Sequence, residues 1–384
     1  MRAHLTSCTL ALSLLSLCVL APLARAETTA LPPQVHEAVK DVMNTYDIAG
    51  LAIAISVNGK EQFHNFGVAS RSTQAGVTPD TLFEVGSISK VFTATLATYA
   101  QANGKLSLSE TVSHYLPELK GSAFGKVVLT HLATHTAGGF PLQVPETVKN
   151  RRQLIEYLND WTPLYPAGTQ RSYANPSIGM LGLIAAKSLN MTYNQALEQH
   201  LFPALGLKNS YLRVPEEKMA LYAQGYDKEG KPVRLNPGVL ADEAYGVKTS
   251  ARDLLHFTQL SMAPGTLPAP LRQALDDTRV GYFQVGPMTQ DLIWEQYPTP
   301  VSLDSLLTGN SNKMAYSNNG AIALNPVKPP QPAAWVNKTG STGGFGAYVA
   351  FVPGEQKSVV ILANKNYPNE ARIKLAYTLL DTLN

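Results

Sequence analysis

Three short polar strings, far apart along the 384-residue chain, carry the groups that acyl-transfer chemistry needs. They are Ser87-Ile88-Ser89-Lys90, Tyr173-Ala174-Asn175 and Lys338-Thr339-Gly340. The first has the S-x-x-K form, the third is K-T-G, and the second stands where an S-D-N triplet completes this set in some enzymes. Each string alone is weak evidence for such a site, but all three in this order predict one site.

The first string pairs a nucleophile with a candidate base. A serine hydroxyl is a poor nucleophile at neutral pH and needs a base within hydrogen-bond reach. Ser87 and Lys90 are three residues apart at a predicted helix start, so both side chains fall on one face, beside unpaired N–H groups that suit an oxyanion. The alternative is a capping serine and a solvated lysine. Lys90, however, precedes an apolar run with a buried pattern.

The middle string offers a phenol and an amide. A free phenol titrates near ~10, and two lysines nearby would stabilise the phenolate and lower that pKa. Lys90 and Lys338 are those lysines if the three strings converge. Asn175 offers both a donor and an acceptor to a substrate amide. Taken alone, the string would be read as a loop tyrosine and a turn asparagine.

The third string predicts a strand that a substrate lies against. Lys338 and Thr339 are suited to a substrate carboxylate, and Gly340 permits close approach to the backbone. The Ser341 N–H would complete an oxyanion hole with that of Ser87. A phosphate-binding loop is disfavoured, because G-x-x-x-x-G-K-[ST] is missing and a strand follows.

Two other patterns lead to weaker hypotheses. His131 and His135 have the spacing of a zinc helix, but no glutamate stands at the H-E-x-x-H position. They are expected to satisfy backbone groups in a turn, and we predict neither a metal nor a cofactor. The run from Asn175 to Gly179 lacks the first glycine of G-x-S-x-G, which disfavours an α/β-hydrolase.

The two ends of the chain contain predicted strands and a helix that could position these strings. Leu51–Val57 and Lys60–Phe66 flank Asn58-Gly59, the strongest short-range hairpin signal. Gly346–Val352 and Ser358–Ala363 are strand-like. The residues from Asn369 to Leu383 have helical spacing.

The middle of the chain differs, since helical stretches alternate there with proline-rich loops. Its clearest helix is predicted from Ser87 to the Asn103-Gly104 stop. We therefore predict an α+β fold, with an antiparallel sheet flanked by helices and a helical lobe inserted into it. The sheet lobe would cover about 27–82 and 295–384, and the helical lobe about 83–294.

The first 26 residues are predicted to be a secretory signal peptide. Leu10 to Leu23 is almost wholly apolar, and Ala24-Arg25-Ala26 resembles a cleavage site. The apolar run is short for a membrane span. We therefore expect a periplasmic protein that leaves the membrane after cleavage. Both cysteines, Cys8 and Cys18, lie in this segment, which excludes disulfides, a cysteine nucleophile and Cys-ligated zinc from the mature chain, 27–384.

Charge gives no indication of a nucleic-acid partner. The formal net charge of the whole chain is +3 at pH 7, without a basic stripe. We expect a monomer whose partners are a small-molecule substrate and water.

Longer strings around these motifs resemble the class C serine β-lactamases, or cephalosporinases, over nearly the whole mature chain. They are Phe83-Glu84-Val85-Gly86-Ser87-Ile88-Ser89-Lys90, Thr136-Ala137-Gly138-Gly139 with Pro141-Leu142-Gln143, Tyr173-Ala174-Asn175-Pro176, Ala244-Tyr245-Gly246-Val247-Lys248, Trp335-Val336-Asn337-Lys338-Thr339-Gly340 and Ala363-Asn364-Lys365-Asn366-Tyr367-Pro368-Asn369. The resemblance implies a serine β-lactamase or penicillin-binding-protein-like fold that hydrolyses β-lactams, chiefly cephalosporins.

The same resemblance implies a role for each site residue. Ser87 would be the acylated nucleophile, while Lys90 and Tyr173 share proton transfer. The substrate carboxylate would lie among Lys338, Thr339, Asn366 and Asn369. Gln143 and Asn175 would contact the acyl side-chain amide, and Tyr245 would line the pocket wall.

The departures from the family pattern are few, and rival functions remain open. They are Phe140 and Val91, Asn337 before Lys338, and the stretch 309–332, which could change which side chains fit. A D-alanyl-D-alanine peptidase or an esterase would use the same nucleophile on the same fold. A penicillin-binding sensor that stays acylated is a third hypothesis.

Overall fold

The computed structural model of the protein describes residues 31–382. The predicted signal peptide, both cysteines and Leu383 lie outside these residues. The strands are β1 (Gly50–Val57), β2 (Lys60–Gly67), β3 (Leu82–Glu84), β4 (Gln170–Ser172), β5 (Ser210–Tyr211), β6 (Gly225–Tyr226), β7 (Pro232–Val233), β8 (Lys248–Ser250), β9 (Gly281–Val285), β10 (Met288–Gln290), β11 (Glu295–Pro298), β12 (Asn318–Gly320), β13 (Ile322–Lys328), β14 (Ala334–Ser341), β15 (Gly346–Val352) and β16 (Lys357–Ala363). The helices are α1 (Pro33–Thr45), α2 (Ser89–Ala102), α3 (Val112–Tyr115), α4 (Leu129–Ala133), α5 (Arg151–Asp160), α6 (Asn175–Ser188), α7 (Phe202–Ala204), α8 (Ala241–Tyr245), α9 (Ala251–Met262), α10 (Ala269–Asp277), α11 (Leu303–Gly309), α12 (Asn312–Tyr316) and α13 (Asn369–Thr382).

The two ends of the described chain meet in one antiparallel sheet. Its strand order is β13-β9-β10-β11-β14-β15-β16-β1-β2, so the first strand pairs with the last. Leu51 lies opposite Ala363 in that pairing. The predicted hairpin is confirmed, and its Asn58 and Gly59 have the positive φ angles, 51° and 78°, of a tight turn between twisted strands.

Successive side chains of the central strands point to opposite faces of the sheet, and this divides the core into two layers. On β1, Leu51, Ile53 and Ile55 pack with α1 and α13 on one face, whereas Ala52 and Ala54 face the helical region. This is the expected period of two. The sequence-based prediction of an antiparallel sheet flanked by helices is confirmed. The lobe boundaries remain a prediction, and β9 and β10 of this sheet fall before residue 295.

Helix α2 lies at the centre of the helical region and is buried almost all round. It packs against α6, α8 and α10, which surround it with apolar side chains. Because the helix is buried on every side, apolar and small residues occur all around it and not on one face only. Between residues 31 and 382, none of the helices combines the length and apolar character needed to cross a membrane.

Candidate active site

Ser87 lies in a single 3-10 turn, Gly86–Ile88, directly before α2. The sequence predicts the helix to begin at Ser87, but its α-helical part begins at Ser89. Gly86 has a left-handed φ of 50°, and the Ile88 N–H donates to the Val85 carbonyl at 3.1 Å, which tightens this first turn. Ser87 therefore sits where the chain enters the helix, with its hydroxyl on the cavity side.

Two glycines allow β14 to run against the Ser87 turn. A Cβ on Gly340 would stand 2.0 Å from the Val85 carbonyl oxygen, and a Cβ on Gly86 would stand 2.4 Å from the Ser341 nitrogen. Both distances are far below any permitted contact, so side chains at these positions would push strand and turn apart. The contact places the Ser87 and Ser341 backbones side by side.

Lys90 lies behind Ser87 and is fully buried. Its Nζ donates to Ser87 Oγ at 2.8 Å and to the Ala244 carbonyl oxygen at 2.8 Å. Burial, which disfavours the charged form, lowers the pKa of Lys90 to about 8. A lysine with this pKa exchanges a proton with a hydroxyl far more readily than an exposed one.

Tyr173, between β4 and α6, is the second group beside Ser87. Its hydroxyl is buried and has no well-aligned hydrogen-bond partner. Lys90 Nζ and Lys338 Nζ lie 5.1 Å and 5.0 Å from the centre of its ring. Burial raises the pKa of the phenol, but the charges of Lys338 and Lys90 and the nearby Ser87 hydroxyl outweigh it, and the pKa falls to about 8.

A buried ion pair between Arg171 and Glu295 lies beside Lys338. Glu295 Oε1 accepts from Arg171 Nη2 at 2.8 Å and lies 3.8 Å from Lys338 Nζ. Arg171 also donates to Gln290 Oε1 at 2.5 Å and to the Met314 carbonyl at 2.9 Å. The carboxylate thus fixes Lys338 without isolating it from the cavity. Sequence reasoning missed Arg171 and Glu295.

The amide and carboxylate candidates have separate hydrogen-bond partners. Asn175 Nδ2 donates to Gln143 Oε1 at 2.9 Å, while the buried Asn175 Oδ1 has no partner. A buried acceptor of this kind is costly unless a ligand supplies a donor. Among the carboxylate candidates, Asn366 Oδ1 accepts from Arg372 Nη2 at 2.9 Å.

One cavity of about 490 Å³ collects these groups. Eleven of the twelve sequence-predicted residues line it, namely Ser87, Gln143, Tyr173, Asn175, Tyr245, Lys338, Thr339, Gly340, Ser341, Asn366 and Asn369. Lys90 is the exception and reaches it only through Ser87. A rim that the motifs did not predict comes from 309–316, at the start of the stretch flagged as unlike the family.

The other departures from the family pattern lie away from the cavity. Phe140 stacks on Trp161, with ring centres 4.2 Å apart and planes 8° apart. Asn337 is fully buried and exchanges hydrogen bonds with Asn310, at 3.2 and 3.4 Å. Val91 is fully buried in α2. Of the departures, the 309–316 segment is therefore the one that lines the cavity directly.

One of the two histidines, His135, contacts the tyrosine segment. His131 Nδ1 bonds with Thr136 Oγ1 at 2.8 Å, and His135 Nδ1 accepts from the Ala174 N–H at 3.3 Å. The His135 ring lies 4.4 Å from that of Tyr173. Burial, then the charges of Arg171, Lys90 and Lys338, hold the pKa of His135 well below its usual range, so the ring is neutral. Within 31–382, no three His, Cys, Asp or Glu side chains are grouped to hold a metal.

Comparison with known proteins gives consistent matches. A family model described as "Beta-lactamase" matches residues 35–384. A beta-lactamase of Lysobacter lactamgenus is 51% identical over 382 residues, which cover 100% of this chain and 98% of the relative. A beta-lactamase/D-alanine carboxypeptidase structure from Pseudomonas syringae is 57% identical, with a TM-score of 0.90 over 91% of this chain and 98% of the other. A class C beta lactamase structure is 50% identical, with a TM-score of 0.88 over 91% of this chain and 97% of the other.

Proposed function

This chain belongs to the class C serine β-lactamase family, and from that premise we propose that Ser87 is the nucleophile with which it opens the ring. It is a hydrolase of β-lactams with the fold of that family. The observation that carries the assignment of the residues is the 2.8 Å hydrogen bond from Lys90 to Ser87, beside a phenol whose pKa is about 8.

In the first step, Ser87 Oγ bonds to the ring carbonyl carbon as its proton passes to Tyr173 or Lys90. Both groups have a pKa of about 8, so moving the proton between them costs little. Which of the two takes the proton first is left open. The carbonyl oxygen becomes an oxyanion and accepts hydrogen bonds from the Ser87 and Ser341 N–H groups.

In the second step, the carbon–nitrogen bond of the ring breaks. The departing nitrogen takes the proton that the Tyr173–Lys90 pair received, and Ser87 is left as an ester. Water then attacks the ester carbonyl and gives a proton to Tyr173. The ester bond breaks, Ser87 recovers its proton, and the product leaves as an acid. No cofactor or metal takes part in this proposal.

We propose that two groups of cavity residues bind different parts of the substrate. The substrate carboxylate is placed against Lys338, Thr339, Asn366 and Asn369. Its side-chain amide is placed where its N–H reaches the unpartnered Asn175 Oδ1 and its carbonyl reaches the Gln143 amide. Tyr245 forms the wall beyond. Cephalosporins carry both groups, and we propose them as the preferred substrates.

A second candidate activity is supported by the names of similar solved structures. The Pseudomonas syringae structure is named both a beta-lactamase and a D-alanine carboxypeptidase. A D-alanyl-D-alanine peptide also presents a carboxylate and an amide carbonyl to the same serine. Esterase activity would use the same steps, whereas a sensor would stop at the acylated serine.

Location and assembly are also proposals. The predicted signal peptide, together with the absence of a membrane-spanning helix between residues 31 and 382, supports a periplasmic protein free of the membrane. We propose that it acts there as a monomer, without nucleic acid.

Nitrocefin hydrolysis by the wild-type protein and by Ser87→Ala tests the proposal. Wild type should turn over many equivalents, and Ser87→Ala should lose many orders of magnitude while staying folded by circular dichroism. Intact-mass spectrometry after brief penicillin exposure should show an adduct on wild type only. A covalent adduct on Ser87→Ala would remove Ser87 from its role, and a single-equivalent burst by wild type would indicate a sensor. A D-alanyl-D-alanine peptide assayed alongside measures the second activity.

A further inference from the structure

Glu84, three residues before the nucleophile, is a buried carboxylate outside the proposed chemistry. It ends β3 and is 1% exposed. Oε1 accepts from the Tyr222 hydroxyl at 2.6 Å and from the Leu235 N–H at 2.7 Å. Oε2 accepts from Thr342 Oγ1 at 2.5 Å. One side chain therefore joins three separate segments.

Two of those segments form walls of the cavity. Leu235 and Asn236 line it from the first segment, and Thr342 and Gly343 line it from the second. The Leu235 wall continues through exposed residues 236–238 to Leu240, which has a left-handed φ of 61° before α8. The Thr342 wall is the turn that follows β14, and its N–H donates to the Phe345 carbonyl at 3.1 Å. Glu84 joins these two walls through its two carboxylate oxygens.

The bonds to Glu84 are short and charge-assisted, which makes the bridge stiff. Lys248 stands opposite Glu84 in the β3–β8 pairing, where the two opposite charges attract each other. Its Nζ donates to the Leu212 and Gly246 carbonyls, so it balances Glu84 without competing for its oxygens. The ring of Tyr222 is held in turn by Arg234, whose Cζ lies 4.0 Å from the ring centre.

We infer that Glu84 is a positioning residue that sets the width of the cleft at its acyl side-chain end, and so limits the bulk of the acyl group that the enzyme accepts. This inference rests on the proposed function, because the walls of Leu235 and Thr342 face the acyl group only if the substrate amide lies at Asn175 and Gln143. Removing the charge weakens the bonds to both walls together. The cleft then opens more easily for a large group and holds a small one less firmly.

Three cephalosporins with one shared nucleus isolate this effect. Cephalothin, cefotaxime and 7-aminocephalosporanic acid all carry the acetoxymethyl group. Cephalothin has a small acyl group, cefotaxime has a bulky oxyimino acyl group, and 7-aminocephalosporanic acid has no acyl group. In Glu84→Gln, the ratio of kcat/KM for cefotaxime to that for cephalothin should rise by about fivefold, the size expected for weakening a charge-assisted hydrogen bond. Hydrolysis of 7-aminocephalosporanic acid should stay within about twofold of wild type, since it does not reach the walls.

Two further variants separate positioning from general damage. Glu198 is a matched control, because one oxygen of its carboxylate also accepts two hydrogen bonds, from the Leu212 N–H at 2.7 Å and the Arg213 N–H at 3.0 Å, and it does not line the cavity. Glu198→Gln should leave the ratio at the wild-type value. Tyr222→Phe deletes one of the three bonds to Glu84 and should give a smaller rise, which keeps the test available if Glu84→Gln does not fold.

The outcomes distinguish this inference from the proposed function. A ratio in Glu84→Gln and Tyr222→Phe that stays at the wild-type value or falls overturns the role of Glu84. So does a change in 7-aminocephalosporanic acid hydrolysis as large as that for cefotaxime, because the effect would then be on the catalytic centre. If wild type hydrolyses none of the three compounds, the proposed function itself fails.

Discussion

Replacing Lys338 with glutamine should raise the pKa of Tyr173 by about 2. Lys338 Nζ lies 5.0 Å from the centre of the phenol ring. At an effective dielectric constant of about 20, a unit charge at that distance stabilises the phenolate by about 3 kcal/mol, or about 2 pKa units. The pKa would move from about 8 back towards that of a free phenol. At pH 7 the phenolate population would fall by about a hundredfold.

The pKa should be measured on the free enzyme, because Lys338 is also placed against the substrate carboxylate. Ultraviolet difference titration of wild type minus Tyr173→Phe isolates one phenol among the 17 tyrosines. The same difference is then taken in the Lys338→Gln background. Lys338→Arg is the matched control, since it keeps the charge and should keep the pKa near that of wild type. The acidic limb of kcat/KM should move to higher pH with the titration.

Two results would contradict this electrostatic reasoning. If Tyr173 titrates at the same pH with and without the Lys338 charge, the low phenol pKa has another origin. If the titration moves but the kcat/KM limb does not, Tyr173 is not the group whose ionisation limits the reaction, and Lys90 becomes the stronger candidate for the base.

Three other substitutions or substrates test separate parts of the site. Tyr173→Phe keeps the ring and loses the ionisable oxygen, so single-turnover acylation and deacylation should both slow by about a hundredfold or more, and wild-type rates would reduce Tyr173 to a wall residue. A first-generation cephalosporin should be cleared faster than imipenem, whose hydroxyethyl group crowds the water path; rapid-quench mass spectrometry showing equal clearance of both adducts would refute this. Phe140→Leu should lower stability by about 1 kcal/mol, through loss of its stack on Trp161, and leave the substrate profile unchanged, whereas a changed profile would place position 140 in contact with substrate.

Local sequence signals predicted the sheet well where two strands that are adjacent in sequence pair with each other. Asn58-Gly59 specifies a hairpin by backbone conformation alone, and the predicted strand Gly346–Val352 has the observed bounds. The start of α2 was predicted less well. The left-handed φ at Gly86 that tightens the Ser87 turn depends on the approach of Ser341, which is far away in sequence.

The parts of the site that depend on long-range pairing could not be read from the chain. Arg171 and Glu295 are 124 residues apart, and each alone resembles any surface charge. The pairing of β11 with β14 sets Glu295 opposite Asn337 and next to Lys338. Arg171 reaches Glu295 from β4, which belongs to a separate two-stranded sheet with β12. The motifs identify groups that do chemistry, whereas the residues that tune those groups are determined by the topology of the sheet.

The charge balance of the site supports the proposal that Tyr173 acts first as a base and then as an acid. Arg171 and Glu295 pair at 2.8 Å and largely neutralise each other, which leaves the Lys90 and Lys338 charges around the phenol. In the free enzyme the phenolate is the anion that relieves this excess, so its pKa is low. A substrate whose carboxylate lies at Lys338 supplies a second anion and weakens the hold of that lysine on the phenolate. In the proposed mechanism, binding therefore leaves less phenolate at a given pH but makes that phenolate a stronger base for the Ser87 proton. The protonated phenol, no longer strongly acidified, can then hold that proton until the ring nitrogen departs.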